Sequence, residues 1–537
     1  MRTHPLVALA VVAATITTVA AVGQAIPVPP QQPLKKVHHA DAALDAHPAA
    51  SSAVPQWLIA PAASAASGAD AAASANAIRR PAADASPIER GRYLAAAGDC
   101  AGCHTAAGGT PYAGGRPLAT PFGTVLSANL TPDATGLKGW SADQFYRALH
   151  EGISANGDHL YPAFPYNWFT RMPRADTDAL FAYLQSLPPT PHKLDRNQLP
   201  FPFNIRALVS VWNMLYLDKT EFKPDPAHDE QWNRGAYLVE GPGHCAACHT
   251  PRTVLGGPKS GHDFQGGAFD TWFAPDLTPN GRTGLGGWSR DELVQFLRTG
   301  RNAHALATGE MGIVVQDSTS LLADDDLQAI ASYLYDRAAS PAASMTPPDT
   351  AMMKAGEAIF VDQCSACHLM RGAGQALAFP PLARSANLQQ SDPTTALRII
   401  LAGTQASPTR AQPTGFTMPA FAWKLDDRQV AAVATYVRNE WGNAAPAVAP
   451  DQVARLRDKL HFDAHTDGRT KPTPMTHPGP NTLGSADTDS RDNGSAQAGR
   501  AAPGGDAASA ASKPPSSPDQ ASGPGGAPPL SPGAAAS

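Results

Sequence analysis

Apolar residues recur at three- and four-residue spacing in three segments far apart in the chain: ADTDALFAYLQSL from Ala175, ADDDLQAIASYLYD from Ala323 and LDDRQVAAVATYVRNEW from Leu425. That period places the apolar side chains of each segment on one stripe, and acidic residues at each start suit the positive end of a helix dipole. All three therefore read as amphipathic helices that bury one face. A fourth apolar segment, IRALVSVWNMLYL from Ile205 to Leu217, is too short to cross a bilayer. It reads as a joining helix, with a surface for a partner or for the membrane interface as the alternative. Gly-Trp-Ser occurs at 139 to 141 and again at 287 to 289 and predicts two helix starts with serine as N-cap. Alternating runs rich in Val, Ile and Thr are scarce, and Gly and Pro punctuate the intervals. The pattern predicts an all-α protein with long irregular connections.

The chain also repeats itself. One copy runs RGRYLAAAGDCAGCHT, and the next runs RGAYLVEGPGHCAACHT. Both go on to Leu-Thr-Pro, Gly-Trp-Ser and an amphipathic helix, and a third, shorter copy runs AGEAIFVDQCSACHLM. Duplication of one structural unit accounts for this. In each copy a glycine and an aromatic residue precede the cysteines: Gly91 with Tyr93, Gly235 with Tyr237, Gly356 with Phe360. These read as packing residues, the glycine marking where an opening helix crosses the closing helix closely. The 537 residues allow several domains of about 100 to 200 residues each, and the repeats place three, at 87–220, 227–340 and 350–445.

The flanks differ. Arg2 precedes an apolar run from Leu6 to Val22, followed by small residues, which is the layout of an export signal. At about 17 residues the run sits at the short limit for a membrane span, so 1–26 reads as a cleaved signal or a retained anchor, and the body is expected outside the cytoplasm. Residues 27–86, rich in Ala, Ser and Pro, bury too little apolar area to offset the entropy of ordering and read as a tether. The Pro/Gly/Ala/Ser-rich tail, 446–537, reads as disordered, with a short amphipathic helix in VARLRDKLHF from Val453 to Phe462. Net charge is −5 with no basic stripe, which argues against a nucleic-acid partner.

All six cysteines lie in three clusters: Cys100, Cys103 and His104; Cys245, Cys248 and His249; Cys364, Cys367 and His368. A two-pair zinc site or a redox dithiol gives no role to a histidine after each second cysteine. Attachment of haem c explains all three positions: residues three apart on a helical turn share a side, so two thiols can form thioethers with one haem edge while the histidine ligates the iron. Three covalently bound haems follow. Methionine sulfur is the sixth ligand favoured for electron transfer. Met418, in a Met-Pro turn eighteen residues before Tyr436, is the candidate in the third copy, and Met311, twenty-two before Tyr333, in the second. In the first copy the position nineteen residues before Tyr183 holds Phe164, which cannot bind iron; Met172, His159 and an open or water-bound iron are the alternatives. For each methionine the competing reading is a core-filling side chain.

With LYPAFPY, LTPD and GWS added to the two long repeats, residues 87–445 resemble the triheme cytochrome c subunit of bacterial membrane-associated dehydrogenases. Several relatives have methionine where this chain has Phe164. The resemblance implies three tandem cytochrome c domains that take electrons from a separate catalytic subunit of flavin, quinone-cofactor or molybdenum type and pass them to ubiquinone or a terminal oxidase. It also implies a membrane-associated protein on the periplasmic side. No Walker loop or strand-flanked dinucleotide fingerprint is present, so the chain by itself is not expected to oxidise an organic substrate. A haem enzyme such as a peroxidase, working at an open first iron, is the alternative from another class.

Overall fold

The computed structural model describes residues 79–461, apart from residue 196 and residues 342–344. The export segment, the tether as far as residue 78 and the tail from residue 462 lie outside the described residues. Within them the chain forms three helical modules, each with its own buried apolar cluster. Each module has an opening helix, Pro87–Ala97, Glu230–Glu240 or Thr350–Gln363, and then a single helical turn that carries the cysteine cluster. A middle helix follows, Ala142–Glu151, Arg290–Thr299 or Thr394–Ala402. The closing helices are Arg174–Gln185, Asp324–Tyr335 and Asp427–Val437.

Local sequence explains the helix starts. Ser86, Ser141, Ser289 and Asp426 each cap a helix and pair reciprocally with Glu89, Gln144, Glu292 and Gln429 three residues on. Such a cap contributes about 1 kcal/mol. The two Gly-Trp-Ser serines are thus N-caps, as their position in the sequence implies.

Opening and closing helices pack at almost zero clearance. A Cβ added to Gly91 would lie 1.9 Å from the carbonyl oxygen of Ala179, one on Gly235 1.9 Å from that of Ala329, and one on Gly356 2.3 Å from that of Ala432. Each alanine stands four residues before the tyrosine of its closing helix, Tyr183, Tyr333 or Tyr436. Glycine on one helix and alanine on the other let the two backbones touch, and the same crossing is built three times.

Two expectations need correction. The connections are not wholly irregular: two-stranded antiparallel ribbons pair Pro117–Thr120 with Gly123–Leu126, Gln265–Phe269 with Trp272–Asp276, and Thr404–Gln405 with Thr417–Met418. Strands of two to five residues are too short to show a period-2 pattern, and the first two ribbons turn on Gly123 and Asp270, both at positive φ. The third module also does not end at 445. Residues Pro450–Lys459 form the helix expected in this region, but Val453 and Leu456 belong to the third buried cluster, and Arg457 donates to Asp427 and to the carbonyls of Ala422 and Leu425. The joining segment is helical too, a short 3-10 turn at Arg206–Leu208 running into Val209–Tyr216.

Replacing Gly235 by alanine forces the helices of the second module apart and is expected to lower its stability by at least about 1–3 kcal/mol. Chemical unfolding of Gly235→Ala beside an exposed control, Gly281→Ala, which meets nothing within 4 Å, reads the difference.

Candidate functional site: three cysteine–histidine turns

Each cluster sits on one helical turn. The amide of His249 donates to Cys245 O at 3.0 Å and that of His368 to Cys364 O at 3.0 Å, and Cys100–His104 is helical throughout. The turn therefore puts both thiols and the imidazole of each cluster on one side. The imidazoles are fixed from behind. Nδ1 of His104 lies 2.7 Å from Ala128 O, that of His249 2.7 Å from Pro275 O, and that of His368 3.2 Å from Pro380 O. A carbonyl only accepts, so Nδ1 carries the proton and Nε2 keeps a free lone pair, the arrangement second-shell partners give metal-ligating histidines. Burial lowers the pKa of all three, against the opposing pull of the carbonyls, and keeps the rings neutral.

Burial has the opposite sense for the thiols. It pushes Cys100 and Cys245 up to about 12 and Cys248 and Cys364 to about 11, and raises Cys103 as well. Such thiols are not the exposed, low-pKa nucleophiles of a redox dithiol. Among the described residues, His, Cys, Asp and Glu side chains nowhere converge in threes as a protein-only metal site requires. One neutral imidazole beside a pair of thiols suits a metal that arrives within its own macrocycle.

In the third module one apolar cavity is lined by Cys364, Cys367 and His368 together with Met418, Ile400 and Val433. Met418 is held there by the short ribbon, paired with Thr404. Met311, on the helix Gly309–Asp317, packs half-buried against the second cluster, as does Cys245. Met172 is buried in the first cluster, against which Cys100 and Phe164 also pack; its carbonyl lies 2.7 Å from Nε2 of His150. Phe164 is engaged with other rings, 5.4 Å from Phe169 and 6.2 Å from Tyr166. His159 keeps its Nδ1 buried with no hydrogen-bond partner.

The structure adds residues that the repeats did not reveal. Arg116 donates to Gly102 O at 2.5 Å, and Arg252 donates to Ala247 O, so each guanidinium grips the carbonyl just before the second cysteine of its turn. The two stand thirteen and four residues beyond that cysteine, so aligning the copies does not pair them. Arg116 also reaches Glu310 of the second module at 2.6 Å.

The first two clusters are held against each other by an exchange of tyrosines. Tyr93 of the first module donates to Asp326 of the second at 2.6 Å, and Tyr237 of the second donates to Asp176 of the first at 2.5 Å. Each carboxylate is also held by its own module's arginine, Asp326 by Arg234 at 2.8 and 3.0 Å and Asp176 by Arg90 at 2.7 Å. Both aspartates stand seven residues before the tyrosine of their closing helix. The third module has Ala358, two residues after its crossing glycine, and Gln429 at the matching positions and cannot join such a pair. Across this contact Cys248 is near enough to Cys103 to raise the cost of ionising it, and two buried acids lie close by. Burial lifts Asp99 well above the carboxylate range, and Asp317 to about 6.

The second and third modules meet differently, through the segments near their methionines. Thr308 bridges Ala406, Ser407 donates to Ala307 O at 3.3 Å, and Gly312 has room only for hydrogen beside Ser407 Oγ. His304, Leu306 and Thr308 help line the third cavity.

A family profile described as Cytochrome c matches residues 88–188 and 353–441. Over 401 residues the chain is 40% identical to the gluconate 2-dehydrogenase cytochrome c subunit of Pantoea cypripedii, spanning 70% of this chain and 91% of that protein. The chain belongs to the family of dehydrogenase cytochrome c subunits. It is 38% identical over 400 residues to the alcohol dehydrogenase (quinone) cytochrome c subunit of Komagataeibacter europaeus, 70% of this chain and 86% of that protein. Against the fructose dehydrogenase cytochrome subunit of Gluconobacter japonicus identity is 35% over 405 residues, 69% of this chain and 82% of that protein. Membership in the family implies covalently bound haem c, and the geometry of the three turns fits it.

Asp326 generates a pH prediction. Burial raises its pKa, but Arg234, Tyr93 and Arg80 outweigh burial and leave it below the ordinary carboxylate value. A group depressed on folding stabilises fully above its unfolded pKa, about 3.9, and loses that stabilisation as pH falls through the folded value. The contact between the first two modules is therefore expected to weaken below about pH 4. Urea midpoints between pH 7 and pH 3 check this, and Asp326→Asn flattens the dependence. Tyr93→Phe removes a hydrogen bond to a charged acceptor and is expected to lose about 1.5–3 kcal/mol at neutral pH.

Proposed function

We propose that the chain is a triheme c-type cytochrome that carries electrons from a catalytic dehydrogenase subunit into the respiratory chain, with ubiquinone or a terminal oxidase as acceptor. The observation that carries this reading is the threefold recurrence of one neutral, carbonyl-locked imidazole beside two thiols on a helical turn. Relatives named as subunits of gluconate, alcohol and fructose dehydrogenases support a partner that does the substrate chemistry. The middle module lies outside the matched profile segments, yet its turn, its histidine lock and its glycine crossing repeat those of the first.

Bound haem supplies a one-electron carrier in each module. Cys100 with Cys103, Cys245 with Cys248 and Cys364 with Cys367 would hold the three by thioether bonds, and His104, His249 and His368 would present Nε2 to the irons. Met418 and Met311 are the sixth ligands of the third and second sites in this reading. Met172 takes that role in the first. At the third site the cavity wall is largely apolar, with Ile400 and Val433 among its lining. In this reading the second site is the middle one, since its module touches the first through Arg116 and Glu310 and the third through Thr308 and Ala406. The exported, periplasmic location and membrane association belong to the same proposal, resting on the apolar run at 6–22 and on the resemblance.

Intact mass and a pyridine haemochrome assay of the purified protein are expected to count three haems, and Cys245→Ala with Cys248→Ala to leave two. A count of two in the unaltered chain would remove the middle site from the relay. Met418→Leu is expected to abolish a methionine-to-iron absorption band from one haem and to shift its potential downward. Rapid cyanide binding by the unaltered protein, retained in Met311→Leu and Met418→Leu, would instead favour enzyme chemistry at an open first iron.

A further inference from the structure

Nine of the large apolar side chains left exposed among the described residues gather on one patch. They come from the segment that joins the first two modules and from a loop of the second. On the joining helix, Leu208, Val211, Met214 and Leu215 follow helical spacing on its outer side, with Met214 86% exposed. Phe201, Phe203 and Ile205 precede them, and Val254 and Leu255 stand beside them at a loop tip, Val254 94% exposed. The pieces are fastened into one surface. Trp212 Nε1 donates to Leu255 O at 3.1 Å, Tyr216 and Thr253 hydroxyls lie 2.9 Å apart, and Phe203 packs on Phe122 at 4.9 Å. The helix is inverted in polarity. Its polar residue Asn213 faces inward, accepting from Tyr166 at 2.6 Å and donating to Glu151 O at 3.3 Å, while the apolar stripe faces out.

An apolar patch of this kind needs a cover, and its form points to the cover. Its most exposed side chains stand singly at a loop tip and along a convex helix rather than lining a groove, so no rigid partner surface is matched. Two amphipathic aromatic residues, Trp212 and Tyr216, stand among these apolar side chains with their polar atoms hydrogen-bonded to the 253–255 loop, the residue types enriched at membrane interfaces. Lys259, at the base of the 254 loop, is exposed; Arg206 and Lys219 bracket the stripe in sequence, Arg206 donating to His159 O and Lys219 pairing with Glu151, and the exposed acid Asp218 shares this rim. The patch includes none of the cysteine or ligand residues, whereas a redox protein partner needs a haem edge. A place where such an edge would be reached is elsewhere: Cys367 is exposed, and so are Leu369 and Met370, which follow it in the chain. No helix among the described residues is long and apolar enough to cross a membrane, so the contact would be peripheral.

We infer that the joining helix and the Val254–Leu255 loop form a surface that inserts into the headgroup region of a phospholipid bilayer and sets how the first two modules lie on it. This rests on the membrane-side location proposed above and adds the surface responsible.

The test uses the full-length, haem-loaded protein with a single environment-sensitive fluorophore on Val254→Cys, and vesicles of phosphatidylethanolamine and phosphatidylglycerol. Blue-shifted, intensified emission on adding vesicles is expected, with no change for a label at Ile88→Cys, an exposed position on the first opening helix. Met214→Glu with Leu215→Glu in the Val254→Cys background is expected to weaken the vesicle dependence of the shift roughly tenfold or more, with the Soret spectrum unaltered. The inference is overturned if vesicles sediment the protein while the Val254 label stays water-exposed, or if the label responds only to the co-purified dehydrogenase subunit. Failure of the membrane-side location itself reads differently, as no sedimentation with vesicles at all.

Discussion

Asp326 is wholly removed from solvent, and a buried carboxylate is tolerable only when its charge and lone pairs are met. Arg234 from its own module and Arg80 from ahead of the first opening helix meet the charge, and Tyr93 from the neighbouring module donates to it as well. Because the tyrosine comes from the other repeat, satisfying this carboxylate requires the two modules to dock. Asp176, Arg90 and Tyr237 repeat the contact in the reverse sense, so the docking is approximately self-complementary. Everything at the contact follows from it: the facing cysteine turns, the Arg116–Glu310 bridge and the enclosure of Asp99 and Asp317.

The third module is attached by other means. Ala358 stands two residues after Gly356, where the other two copies carry tyrosine, and has no hydroxyl to exchange. Its contact with the second module is made instead by Thr395 with Phe273, by Gln389 and Gln390 donating to the carbonyls of Arg282 and Thr283, and by Arg301 reaching Thr414. The second module is thereby central, and its helix Gly309–Asp317 serves both neighbours, Glu310 reaching Arg116 of the first module and Gly312 lying against Ser407 of the third.

Much of this was legible in sequence because it is local. Period-3.6 stripes, serine caps and the Gly/Ala crossing depend on residues within one helix or on a repeated pair, and each appears three times or nearly so. The cysteine turns were legible for the same reason. Tyr93 and Tyr237 were visible too, but as packing residues: a repeat read one copy at a time cannot show that a hydroxyl serves the other copy. Comparing the copies offers the missing signal, since the third lacks both the tyrosine and the aspartate. The ribbons escaped because strands this short carry no period, and the helix at 450–459 escaped as core because its neighbours in sequence are tail-like.

By itself the sequence determined the local arrangement of each cluster, since a Cys-x-x-Cys-His turn needs only one turn of helix to bring thiols and imidazole together. It equally determined the helical units, whose stripes and caps are properties of contiguous residues. Only the tertiary structure decided which carbonyl locks each imidazole, which arginine grips each turn, which methionine shares a cavity with its cysteines and which modules touch. Those depend on atoms far apart in the chain, brought together when backbones close at a glycine and buried charges find partners.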